Sequence, residues 1–116
     1  MNHLKLIIKN YNFKKEKKIF FFDKIELKTI LSFYSKMVSK GFWKDYGLNI
    51  SREEVSFNIY KRFSEKPEFK ICKNFKQKNN NLKYFTLDSQ GNILNASKNL
   101  EDLLDKTSWR KLKIVN

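Results

Sequence analysis

The sequence predicts an α+β domain, an antiparallel sheet of about four to five strands packed against one long helix, with a short second helix near 98–106. Three observations predict it. A capped stretch over 23–40 carries apolar residues at three- and four-residue steps and stops at Gly41. Segments of alternating polar and apolar residues follow, separated by turn residues. The 116 residues include only three Gly and one Pro, which suits one ordered domain rather than a chain of loops.

The helix is the clearest element. Asp23 is a good N-cap, because its carboxylate can accept from the orphan amides of the first turn, and Glu26 can reach back to the amide of the cap. Phe22 and Leu27 fall at the staple positions on either side of that cap. Leu27, Ile30, Leu31, Tyr34, Met37 and Val38 form one apolar stripe, with Lys24, Lys28, Ser32, Ser35 and Ser39 largely elsewhere on the wheel. Gly41 can take the left-handed conformation that ends a helix. Before the helix, the apolar run 19–22 reads as a buried strand.

Trp43 and Tyr46 bracket a turn into Leu48-Asn49-Ile50, and Ser51 to Glu54 is a polar turn. In the strand 55–63, Val55, Phe57, Ile59, Lys61 and Phe63 share one face, and Ser56, Asn58, Tyr60 and Arg62 the other. Pro67 stands at the entrance of the next strand, where its missing amide does least harm. There Phe69, Ile71, Lys73 and Phe75 oppose Lys70, Cys72 and Asn74. A basic loop over 76–81 leads to a strand over 82–87, then Asp88-Ser89-Gln90-Gly91 supplies turn chemistry before Ile93. Ser97 or Asn99 caps the second helix, and Glu101 and Asp102 suit its positive dipole end. The segment 109–115 alternates and reads as a short last strand. Residues 1–18 read as a basic N-terminal arm, and 19–116 as the single domain.

Charge is the strongest compositional signal. Twenty-five Lys and Arg face 12 Asp and Glu, a net charge of +13. Such an excess concentrates polyanions around the chain, so nucleic acid, ribosomes and anionic surfaces are its natural partners. The charge also has a compositional source: Lys far outnumbers Arg, and Asn, Ile and Phe are abundant, the residues that A/T-rich codons specify. Cys72 is the sole cysteine, which excludes an intrachain disulfide and fits a reducing, cytoplasmic setting. No run is long and apolar enough to read as a membrane span or a signal segment.

Catalytic constellations are not legible. His3, the only histidine, lies at the terminus, and the three glycines at 41, 47 and 91 are too scattered for a phosphate loop. The carboxylate pairs Glu53-Glu54, Glu65/Glu68 and Glu101-Asp102 have no catalytic partner nearby in sequence. The expectation is a non-enzymatic protein with no cofactor and no metal. Its best surface is the polar face of the central hairpin, where Tyr60 and Arg62 would lie beside Lys70, with Lys66, Lys73, Lys76 and Lys78 around the rim. Between Lys61 and Lys78 seven basic residues stand against two acidic ones. Aromatic rings stack on unpaired bases and ammonium groups neutralise phosphate, so this face reads as a contact for RNA or a ribonucleoprotein. The alternative is a protein-partner pocket built on Trp43, Asp45 and Tyr46.

An ordered set of residues also carries a resemblance. Phe22-Asp23 with Glu26-Leu27, Gly41, Trp43 and Asp45-Tyr46, then Tyr60-Lys61-Arg62, Ser64-Glu65 and Pro67 resemble an uncharacterised alphaproteobacterial domain-of-unknown-function family over about residues 20 to 106. The resemblance implies a small cytoplasmic bacterial protein and carries over no catalytic residues. Lys61 stands where the pattern leads one to expect arginine, and the surface is richer in lysine.

Overall fold

The computed structural model describes residues 21–61, 66–76 and 82–109. The arm at 1–18 and the last strand at 109–115 lie outside them, apart from Trp109. The elements in chain order are α1 (Lys24–Ser39), β1 (Asp45–Ile50), β2 (Glu54–Tyr60), β3 (Phe69–Asn74), β4 (Tyr84–Asp88), β5 (Ile93–Ser97) and α2 (Leu100–Lys106). The strands form one five-stranded sheet in the order β1-β2-β3-β4-β5, and every neighbouring pair is antiparallel. The α+β architecture expected from the sequence is the one the chain adopts.

Helix α1 begins as its sequence dictates. The Asp23 carboxylate accepts from the Glu26 amide at 2.8 Å, and the Glu26 carboxylate accepts from the Asp23 amide at 2.7 Å, a complete capping box. It ends in a Schellman turn: the Phe42 amide donates to the Met37 carbonyl and the Gly41 amide to the Val38 carbonyl, both at 2.9 Å. Gly41 closes that turn at φ 82°. One sequence expectation fails here. Phe21 and Phe22 precede the helix as irregular chain, not strand; Phe22 is buried in the core, as a staple residue before a cap should be.

Both helices cover the same face of the sheet. Ile30 and Met37 of α1 and Leu100, Leu103 and Leu104 of α2 share one core with Val55, Phe57, Ile59, Phe69 and Ile71. Aromatic rings fill its β1 side: Trp43 packs edge-on against Trp109 at 5.2 Å, and Tyr46 stacks on Phe57 at 4.8 Å and 6°. Asn99 caps α2 by accepting from the Asp102 amide at 3.0 Å, while Ser97 instead accepts from the Asn99 amide. The β4–β5 turn is tied by Asp88, whose carboxylate accepts from the Asn92 and Gln90 amides at 2.9 Å. Those bonds, Asn92 first, hold its carboxyl below the usual carboxylate range.

Candidate nucleic-acid interface

The sheet register sorts the candidate side chains by face. Tyr60 pairs with Asp45, Asn58 with Lys70, and Ser56 with Cys72, so these six share the face turned away from the helices. Across β4 the same face continues through Leu87, opposite Lys70, and Phe85, opposite Cys72. Tyr60 is half-buried and leans towards β1, its ring edge 3.8 Å from where a side chain on Gly47 would begin. Lys70 is half-buried, and Lys66 and Lys76 are exposed. Lys76 pairs with Glu53 at 3.4 Å, a solvent-screened contact. Arg62 and Lys78 lie outside the described residues, as does His3.

Lys73 is not on the rim. It belongs to the inner face with Phe69 and Ile71, is 8% exposed, and directs its ammonium to Glu26 Oε1 at 2.7 Å. The Tyr84 hydroxyl donates to Glu26 Oε2, which completes a buried trio between the first turn of α1 and strands β3 and β4. Burial, and then the bond to Glu26, push the Tyr84 phenol well above its ordinary range. The physical reason for the correction is parity. A residue two positions beyond Ile71 points into the core whatever its charge, and a lysine there is tolerated only because a carboxylate meets it.

Cys72 is fully buried in the middle of the outer face. Burial above all, with Glu54 nearby, pushes its thiol up to about 12, so at neutral pH it is protonated and a poor nucleophile. Trp43, Asp45 and Tyr46 have three different surroundings. Trp43 is 2% exposed in the core, Tyr46 is stacked on Phe57, and Asp45 is exposed with its carboxylate accepting from the Tyr46 amide at 2.8 Å. The small cavity that reaches Trp43 is lined by Met37, Phe42, Phe69 and Trp109, with Lys61 and Glu68 at its polar side. Among the described residues, no three His, Cys, Asp or Glu side chains are placed to hold a metal ion. Nor, among them, is any helix long and apolar enough to cross a membrane.

Sequence reasoning missed the apolar part of the outer face. Phe85 and Leu87 are half-buried there, and Ile93 on the edge strand β5 is 61% exposed. The signal was present in the alternation of 84–88, since placing Tyr84 and Thr86 inward places Phe85 and Leu87 outward.

A family model described as a protein of unknown function (DUF2794) matches residues 20–104. The chain belongs to that family. The matched span runs from just before the α1 cap into α2 and takes in the capping box, the five strands and the buried trio. No curated protein and no solved structure matches the chain. Membership of the DUF2794 family therefore brings no activity with it, and function rests on the residues themselves.

Proposed function

We propose that this DUF2794 protein is a small, cytoplasmic, non-catalytic module that binds RNA or an RNA-containing assembly. The observation that carries the reading is the net charge of +13 on a chain of 116 residues. Among the described residues, the one lysine taken into the core, Lys73, takes Glu26 with it. On the outer face of β2 and β3, Tyr60 offers a ring and Lys70 an ammonium, with Lys66 and Lys76 at the margins. Stacking on an accessible ring face contributes about 1–3 kcal/mol per base, of which the half-buried Tyr60 offers part, and phosphate contacts by lysine give a steep salt dependence.

Fluorescence anisotropy with labelled single-stranded RNA tests this. Tyr60→Ala should weaken binding by about tenfold or more, and Lys70→Gln should reduce the salt slope by about 0.7. Wild-type protein that ignores RNA at low salt would end the reading, and variants that bind as wild type would remove this face from it. A protein partner is the second reading, favoured by Phe85, Leu87 and the exposed Ile93. An apolar protein contact should survive high salt in a pull-down, where a polyanion contact dissolves.

A further inference from the structure

Helix α1 presents a cationic surface, on the side of the molecule opposite the outer sheet face. Lys24, Lys28 and Lys36 of the helix and Lys40 at its C-cap are all exposed. With Ser32 they occupy every fourth position from 24 to 40, a slanted row along the helix. Each four-residue step rises about 6 Å, close to the separation of successive phosphates on a strand. Exposed Ser32, Ser35 and Ser39 lie between and beside the ammonium groups. The only acidic residue within α1 is Glu26, and it is buried against Lys73 and Tyr84.

Nothing within the described residues ion-pairs or hydrogen-bonds the four lysine side chains. Like charges at i and i+4 repel, and Lys24 also sits at the positive end of the helix dipole. Asp23 caps the helix beside Lys24, and Glu101 and Asp105 of α2 line a groove with Lys28, Ser32 and Lys36, over Phe33 and Leu104. A codon bias explains how many lysines a chain has. It does not explain why the outer side of α1 holds lysine without Asp or Glu while α2 exposes Glu101, Asp102 and Asp105.

We infer that the outer side of α1 docks the phosphate backbone of a single RNA strand, with the four lysines neutralising phosphates and the serine hydroxyls donating to their oxygens. This rests on the RNA-binding reading and adds to it a surface distinct from Tyr60 and Lys70. An anionic membrane fits less well, because most of the apolar stripe of α1 is spent on the core and leaves only Ile25 and Val38 as exposed large apolar side chains of the helix.

The test uses the full chain and a labelled single-stranded RNA 20-mer titrated across salt. Replacing Lys24, Lys28, Lys36 and Lys40 by Gln keeps helix propensity and should flatten the slope of log K against log salt by about 2.8, at about 0.7 per lysine. The pair variants K24Q/K28Q and K36Q/K40Q should each lose about half of that, and the all-arginine variant should keep the wild-type slope. Circular dichroism confirms that each variant is folded. A wild-type slope in the folded Gln variants would overturn the inference while leaving RNA binding in place. Absence of RNA binding by the wild type would overturn both. Lysine-dependent binding to phosphatidylserine vesicles without RNA binding would likewise overturn it, in favour of a membrane.

Discussion

Glu26 is the residue on which the interior depends most. Its two carboxylate oxygens receive the Asp23 amide, the Lys73 ammonium and the Tyr84 hydroxyl, so one side chain ties the helix start to two strands. Glu26 and Lys73 side chains are only 9% and 10% exposed, where an ionic partner left alone has little water to replace what it lost. Lys73→Ala or Glu26→Gln should therefore each cost about 3 kcal/mol, read as a shift in the urea midpoint at constant slope. The double variant Glu26→Leu with Lys73→Met should recover most of that loss, because removing both charges also removes their desolvation. A double variant as unstable as the sum of the singles would show that the trio acts in some other way. This pairing was half legible. Alternation placed Lys73 with Phe69 and Ile71, and the capping box placed Glu26 at the helix start. That the two meet across 47 residues depends on how α1 lies over the sheet, which no local pattern states.

At the scale of the element, α1 was read almost to its ends, because both ends are decided by residues next to one another in sequence. The expected span of 23–40 runs from the N-cap Asp23 to the C-cap Lys40 that flank the helix Lys24–Ser39. Gly41 carries the Schellman turn at φ 82°, and a side chain there would meet nothing within 4 Å. Gly41→Ala should thus cost only the left-handed backbone penalty, about 1 kcal/mol, and Gly41→Asn less, as thermal unfolding would record. A loss of several kcal/mol would mean that the turn has a packing role as well. Phe21 and Phe22, expected to close a strand over 19–22, were misread for an equally local reason. An apolar pair looks the same whether it enters a ladder or plugs a core, and only its tertiary setting distinguishes the two.

At the scale of the whole molecule, charge and topology were unequally legible. Net charge is a sum, so the sequence states it outright, but its layout follows from which side of each element faces water. Parity assigned the strands correctly. Reading Lys73 by its charge instead put it on the wrong face, and the lysine row on α1 went unassigned because a polar helix side reads as ordinary solvation. The strand order has a consequence for how the chain finds its fold. Each strand pairs with the next along the chain, so the ladder can close by short loops, one hairpin at a time. The contacts that seat α1, bridging 47 and 58 residues, span far longer loops and should form last. Stopped-flow folding would then give a φ-value near 1 for Asp88→Ala in the β4–β5 turn and near 0 for Lys73→Met. The reverse ranking would mean that the helix is seated first. In the expected order, what is lost with Glu26 or Lys73 is not the speed of folding but the lifetime of the folded state, because unfolding accelerates while refolding does not.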